Sequence, residues 1–435
     1  MKKTLRRFAP QSLTRLYHYA AAWLGALWYG FPSRNMVVIG VTGTKGKTSS
    51  INFIWACLSA GGYKTGIIST ANIRIGENES LNAYHMTMPG RSVVQQLMSQ
   101  MVKEGCTHCV VETTSEGIQQ YRHVGIRYDV AVFTNLFPEH LESHGSFENY
   151  RRMKRKLFEA LSSRRKVIGG NVVPKVIVAN RDDSHCDYFL EPFADTKLTF
   201  GLSPEADVVA EDIQETEDGI LFSVSGTPFR VGIPGAFNVY NALPAIALAR
   251  LYNIDDAAIA RGLRDLHTIP GRMEKIEERQ PFTVFVDYAH EKQSMTNVLR
   301  TAQGMRKDGR TIVLLGAEGG GRDKAKRPVM GELAARLADY VVVCNVDPYD
   351  DDPQQIIEDI AVSAERHGKI RGANLFAIQD RREGIRKALS LARGGDIVLI
   401  TGKGAEQSMV VRGESIPWDD RTVVREELRT LVIES

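Results

Sequence analysis

Chemistry is first suggested by the stretch Met36–Ala60, where the apolar run Met36–Ile39 leads into Gly43-Thr44-Lys45-Gly46-Lys47-Thr48 and then a helical pattern. Glycines in such a turn let backbone N–H groups approach phosphate oxygens, and the helix N-terminus adds partial positive charge. Lys47 is placed to reach terminal phosphates, and Thr48 to offer its hydroxyl to Mg²⁺. The spacing departs from the usual phosphate loop, since five residues rather than four separate Gly40 from Gly46. A glycine-bearing turn with a solvated lysine is the plainer alternative. The succession of strand, loop, Gly-Lys-Thr and helix favours phosphate binding.

Further polar groups sit where apolar runs end. Glu112 closes Cys109–Glu112 and is followed by Thr113, Thr114 and Ser115. Thr134 and Asn135 follow Asp129–Phe133; then come Glu139, His140, Glu142 and His144, and further on Tyr150 and Lys154. A carboxylate, an imidazole and hydroxyls gathered at the rim of a phosphate loop would suit hard divalent cations beside ATP. Taken alone, His140 reads as a loop histidine; its place after a strand end makes it a candidate.

The elements that must position these groups are legible as alternating strands and helices. Between residues 36 and 180 the runs at 37–41, 65–68, 109–112, 129–133 and 175–179 alternate with helical patterns, which predicts a parallel sheet covered on both faces. From Ala206 to Gly235 short segments broken by Glu217-Asp218-Gly219 and Ser225-Gly226-Thr227 predict an antiparallel patch. A helix is expected over Asn238–Tyr252 and a linker at Ile269-Pro270-Gly271. A second α/β series follows, with runs at 283–287, 311–316, 340–344 and 396–401. Ligands of open α/β sheets bind at the carboxyl ends of the strands, where the polar groups fall.

At 435 residues, with 43% hydrophobic and 25% charged residues, the chain suits a globular protein of two or three domains. A net charge of +3 argues against a nucleic-acid partner. Five cysteines form no secreted framework, and Cys106-Thr107-His108-Cys109 reads as buried strand rather than half a metal site, so a cytoplasmic setting is expected. Residues 1–35 are basic, then aromatic and apolar. Their apolar stretch is too short for the ~20 residues of a membrane span. Either a membrane-surface helix or a helix capping the next domain is consistent with this pattern.

The chain resembles the Mur ligases, and within them the synthetases that add the third residue to a UDP-muramoyl peptide. The matching stretches, in family order, are GTKGKT (43–48), THCVVETTS (107–115), FTNLFPEHLESHGS (133–146), YRRMKRKLF (150–158), GAFNVYNAL (235–243), PGRMEKI (270–276), VDYAH (286–290), GGGRDKAKRPVMG (319–331), DRREGI (380–385) and TGKGAE (401–406). The resemblance implies a P-loop central domain over 36–269 and a Rossmann-like C-terminal domain over 270–435. It further implies an ATP-dependent ligase of peptidoglycan precursor synthesis that joins an amino acid to a muramoyl-peptide carboxylate through an acyl phosphate. Gly43, Thr44, Lys45, Gly46, Lys47 and Thr48 would hold ATP phosphates and a first Mg²⁺. Glu112, His140 and Lys154, the last as a carbamate, would serve a second. Asn238, Asn241, Arg272, Asp287 and His290 would line the nucleotide, while Lys47, Lys154 and Arg322 would carry catalysis. Thr87, Pro89, Thr114, Ser115, Arg322, Asp347, Tyr349, Gly402 and Glu406 fall at substrate positions.

The sequence also departs from the family pattern. It has no counterpart of the N-terminal uridine-binding domain, so a weak hold on UDP is expected. A histidine of the E-x-S-S-H motif is replaced by Glu116, and Thr87-Met88-Pro89 stands for Thr-Thr-Pro. The Asp-Asn-Pro-Arg of diaminopimelate enzymes reads Val346-Asp347-Pro348-Tyr349. That exchange of positive for negative charge, with Asp350, Asp351 and Asp352 just beyond and Glu406 able to join Asp347, favours a distal ammonium and so lysine over diaminopimelate; a merely solvated acidic loop is the open alternative. Two rivals remain open: a folylpolyglutamate-synthase-like ligase, and a non-catalytic ATP-binding partner of a cell-wall complex.

Overall fold

The computed structural model describes residues 11–84, 86–139, 144–162, 165–216, 219–321 and 324–434. The chain packs as two compact units, residues 1–213, 222–230 and 238–266 in one and 214–221, 231–237 and 267–435 in the other.

Strands β1 (Val37–Thr42), β2 (Thr65–Ile68), β3 (Asn72–Ile75), β4 (Asn78–Leu81), β5 (His108–Glu112) and β6 (Val130–Phe133) come first. A small hairpin of β7 (Lys166–Ile168) and β8 (Asn171–Val173) precedes β9 (Val176–Asn180), β10 (Thr196–Gly201), β11 (Val208–Thr216), β12 (Gly219–Val224) and β13 (Thr227–Val231). Apart from that hairpin they form one eleven-stranded sheet, ordered β13-β12-β11-β10-β9-β6-β1-β5-β2-β3-β4. From β2 across to β11 every pairing is parallel. Strands β5, β6 and β9 are buried along their whole length, and β1 at all but its first residue. This is why they read as unbroken apolar runs.

The antiparallel region expected between 206 and 235 extends this same sheet. Its hairpin turns on Ser225-Gly226, both at positive φ, as a two-residue connection matched to the strand twist requires. A second antiparallel edge, β2–β3–β4, went unread because its strands are short and largely polar. The five cysteines are buried and free; the strand expected over Cys106–Cys109 begins at His108, leaving Cys106 and Thr107 ahead of it.

Gly40, in the middle of β1, sets the approach of the helix Phe147–Glu159. A Cβ at this position would lie 2.7 Å from Leu157 Cδ1 and 2.8 Å from the Tyr128 ring. Without it, the helix presses against the sheet and carries Lys154 toward the loop after β1. Ser146 caps that helix, its hydroxyl accepting from the Asn149 amide at 3.2 Å.

In the second unit, β14 (Glu274–Ile276), β15 (Thr283–Asp287), β16 (Thr311–Leu315), β17 (Tyr340–Val343), β18 (Leu375–Ala377) and β19 (Ile397–Thr401) form a sheet ordered β14-β15-β19-β16-β17-β18. It is parallel except for β14. A hairpin of β20 (Ser408–Val411) and β21 (Glu414–Pro417) follows.

The carboxyl ends of β17 and β19 are tied by one fully buried cation. Arg381 makes two bonds to Asp420, at 2.7 and 2.6 Å, and donates to the carbonyls of Thr401 (2.8 Å) and Asn345 (3.0 Å). Neither side chain of this pair reaches solvent. Removing one partner strands a charge, which costs about 3–5 kcal/mol. Asp420→Ala is therefore expected to lower the calorimetric unfolding temperature of this unit sharply, whereas Arg381→Met with Asp420→Leu should recover much of the loss. An unchanged melting temperature in Asp420→Ala would refute this reading of the pair.

Candidate active site

The loop after β1 is held from outside. Thr44 N–H donates to the Asn135 carbonyl (2.9 Å), Lys45 N–H to Asn135 Oδ1 (2.8 Å), and Thr134 Oγ1 to the Lys45 carbonyl (2.7 Å). Thr44 Oγ1 accepts from Phe137 N–H at 2.9 Å and lies 3.1 Å from Tyr150 Oη. Thr134 and Asn135, noted in the sequence as polar groups after a strand, thus serve as struts. Gly46, at φ 81°, is the residue from which the helix Lys47–Ala60 starts.

Lys47 folds back on the loop, donating to the carbonyls of Gly43 (3.1 Å) and Thr44 (2.9 Å). Lys45 pairs with Glu139 at 2.8 Å. Thr48 Oγ1 donates to Glu112 Oε2 at 2.9 Å, and the Thr70 amide to the same oxygen at 2.8 Å. Thr70 Oγ1 in turn donates to Thr87 Oγ1 at 2.9 Å, so Thr87 is linked to Glu112 through a residue the sequence reading missed. Thr70 lies just beyond β2, and its signal was the strand-end position alone.

Lys154 is buried, 4.5 Å from the centroid of the Tyr150 ring, and donates to the Gly43 carbonyl at 2.7 Å. Burial, aided by the ammonium groups of Lys47 and Lys45, holds its amine well below the ordinary lysine range, against the pull of Glu139 and Glu112. The Lys154 amine thus sits against the loop at Gly43, while Thr48 and Glu112 meet on the helix side of it. Among the described residues no three His, Cys, Asp or Glu side chains cluster as a metal site. Oxygen from Thr48 and Glu112 suits a hard cation, and the nitrogen of a lysine does not. His140 lies outside the described residues, as does Arg322.

Thr114 caps the short helix Ser115–Gln119, accepting from the Gly117 amide at 3.0 Å, and Pro89 is buried next to Met88. Ser115 Oγ lies 3.1 Å from Nε2 of the buried His144. Position 116 lacks the family's histidine, yet the imidazole of His144, further along the chain, reaches Ser115. Asn238 and Asn241 are buried and joined at 2.8 Å.

Within the second unit the expected residues also converge. Asp287 accepts from the amides of Met273 and Ala289, both at 2.7 Å, and its carbonyl accepts from Gly402 N–H at 3.2 Å. The Arg272 guanidinium lies 4.6 Å from the Tyr288 ring centroid, and His290 Nδ1 is 2.7 Å from the Tyr288 carbonyl. Glu406 Oε1 accepts from Tyr288 Oη at 3.1 Å. Tyr349, at φ 53°, is held by backbone bonds to Val410 and Arg412.

Lys403 is the residue that the charge argument overlooked. Its buried ammonium bridges Asp347 Oδ2 (2.8 Å) and Glu406 Oε2 (2.5 Å). Burial, with Asp347 beside it, still raises the Glu406 carboxyl against the pull of Lys403. Asp347 and Glu406 do converge on an amine, but it is the protein's own. The preference for lysine over diaminopimelate loses the support of those two carboxylates and rests on Tyr349 in place of an arginine and on the acidic run Asp350, Asp351 and Asp352.

The glycine at the helix start gives a sharp test. A Cβ on Gly46 would fall 2.2 Å from Asn241 Oδ1, and the positive φ adds backbone strain. Gly46→Ala is expected to weaken nucleotide binding by at least about ten-fold, measured by calorimetry with a non-hydrolysable nucleotide, because one good hydrogen bond to a charged group is worth that much. Wild-type affinity in the folded variant would remove the loop from the site.

Comparison with known proteins gives the family. The Mur ligase middle domain matches residues 41–249, and the Mur ligase glutamate ligase domain matches 271–404. A UDP-N-acetylmuramyl-tripeptide synthetase of Roseiflexus sp. (strain RS-1) is 39% identical over 421 residues, covering 95% of this chain and 82% of its own length. A UDP-N-acetylmuramoyl-L-alanyl-D-glutamate–2,6-diaminopimelate ligase of Geobacillus kaustophilus is 37% identical over 412 residues, covering 93% and 81%. Among solved structures, a ligase of the latter description superposes with TM-score 0.61 at 30% identity, over 92% of this chain and 79% of that one. Mycobacterium tuberculosis folylpolyglutamate synthase shares the fold, with TM-score 0.70 at 19% identity and 95% of each chain covered. The chain belongs to the Mur ligase family and is an ATP-dependent ligase, with the Mg²⁺ requirement typical of that family.

Proposed function

We propose that this ligase joins an amino acid to the free carboxylate of a muramoyl peptide, in cytoplasmic synthesis of peptidoglycan precursors. The observation that carries the reading is the strapped phosphate loop, with the Thr48–Glu112 contact on one side and the buried Lys154 amine on the other. The central domain is taken as 36–269, the C-terminal domain as 270–435, and residues 1–35 as a segment for peripheral contact. Thr87, Pro89, Thr114 and Ser115 would face the acceptor. Arg322, Asp347, Tyr349, Gly402 and Glu406 would face the amino acid.

A carboxylate is a poor electrophile, so the acceptor must first become an acyl phosphate. Its oxygen attacks the γ-phosphorus of ATP, the bond to the bridging oxygen breaks and ADP leaves, and Lys47 would offset the charge that gathers on the phosphoryl oxygens. Asn238, Asn241, Arg272, Asp287 and His290 would orient the nucleotide. The amine of the incoming residue then attacks the acyl carbon and phosphate leaves. Two Mg²⁺ ions, one at Thr48 and one at Glu112, His140 and Lys154, would supply further charge neutralisation.

Phosphate release should require both a muramoyl-dipeptide acceptor and an amino acid. Lys47→Ala should lower it by about 10³-fold or more, as loss of a phosphate clamp does, with the fold intact by circular dichroism. Turnover on folyl acceptors alone would support the folylpolyglutamate reading, and no turnover on either would support a non-catalytic role.

Lys154 is proposed to act as a carbamate. Burial favours its uncharged form; in that form the nitrogen would attack the carbon of CO₂ and release a proton, and an anionic oxygen donor would replace an amine that suits no hard cation. Carbon-13 NMR after incubation with labelled bicarbonate should show one carbamate resonance, absent from Lys154→Ala. That variant should lose nearly all activity, partly recovered by added acetate. An unlabelled wild type, or a fully active Lys154→Ala, would count decisively against it.

A further inference from the structure

The helix Gln11–Trp28 wears its two faces in an unusual way. Among its described side chains, residues 17–28, the packed face is made of small residues: Ala22, Gly25 and Ala26 are buried. A Cβ on Gly25 would lie 3.0 Å from Ser92 Cα, and one on Gly125 would lie 2.5 Å from Ala26 Cβ, so the helix sits tightly on the first unit. The outer face, where a helix of a globular protein carries charge, is apolar. Tyr17, Ala20, Ala21, Leu24, Leu27 and Trp28 follow the i, i+3, i+4, i+7 spacing of one stripe. Of these, Leu24 is 65% exposed, Leu27 64% and Trp28 85%.

Along the sequence the charge flanking this stripe has one sign. The sequence ahead of and within the helix carries Lys2, Lys3, Arg6, Arg7 and Arg15, and Arg34 follows it. No Asp or Glu occurs before Glu77. No described helix is long and apolar enough to cross a membrane.

We propose that this stripe docks the protein onto an anionic lipid surface, with the helix lying along the bilayer and Leu24, Leu27 and Trp28 entering the headgroup–acyl boundary. Tryptophan and tyrosine favour that boundary, and a cationic segment beside them is drawn to anionic headgroups. A second copy of the chain is the poorer occupant. A two-fold interface pairs a patch with itself and would bring these cationic segments together. The inference deepens the peripheral-contact reading of residues 1–35 and is separable from the ligase chemistry.

The test is co-sedimentation of the full-length protein with vesicles of phosphatidylcholine alone or mixed with phosphatidylglycerol. Binding to the anionic vesicles is expected to be at least ten-fold tighter, to fall as salt is raised, and to blue-shift tryptophan emission. Leu24→Glu combined with Trp28→Glu should cut binding at least ten-fold while leaving ligase turnover in vesicle-free solution at the wild-type level. A wild type that ignores anionic vesicles would overturn the proposal, as would a double variant that binds them equally well. So would a vesicle-independent dimer, seen by ultracentrifugation, that the same two substitutions dissociate. A protein that binds vesicles without ligase turnover would uphold the docking and refute only the ligase reading.

Discussion

The first unit depends on a phosphate loop that cannot hold its own shape. Its backbone turns through Gly43 and Gly46, both at positive φ, and glycine has the most conformational freedom to lose on folding. That cost is met by bonds from elsewhere: Thr134 and Asn135 from the end of β6, and Lys154 and Tyr150 from the helix Phe147–Glu159. Two of these struts sit where β6 ends, and β6 is fixed in register against β1, with Phe133 opposite Thr42. The parallel sheet is thus the instrument that aims the loop. A slip between β1 and β6 would remove the struts together.

The second unit shows the same economy with buried charge. Arg381 ties two strand ends to Asp420, and Lys403 ties Asp347 to Glu406. Both cations stand at the ends of parallel strands, where loops must leave the sheet without regular backbone partners. Each takes up groups that burial would otherwise leave costly. In the first case carbonyls and a carboxylate are gathered; in the second, two carboxylates that would repel are held side by side.

How much of this was legible in the sequence depends on whether the signal is local. The central strands announced themselves because parallel strands buried on both faces are apolar throughout, as in Val130–Phe133. Gly-Lys-Thr after a strand named the loop, and Glu112 was found from its place at a strand end. What stayed hidden was pairwise. Thr70 matters through Glu112 and Thr87, His144 through Ser115, and Lys403 through Asp347, and no spacing along the chain encodes those meetings. The lysine preference lost part of its support for that reason: it counted charges along the sequence without the one that folds between them. The polar edge strand Asn78–Leu81 escaped because short strands half in solvent carry no hydrophobic period.

Gly40 deserves its place among residues that matter to the site although it bears no functional group. At that point of β1 the sheet is as thin as a protein layer can be, and the helix above rests on bare backbone. Three turns of reasoning separate a missing methyl from an amine at the phosphate loop, yet the link is rigid throughout, since interiors pack like solids. The size of residue 40 is in effect a ruler for residue 154. The position of a reactive nitrogen is written in a neighbouring layer, as an absence, in a strand that makes no contact with phosphate through its side chains.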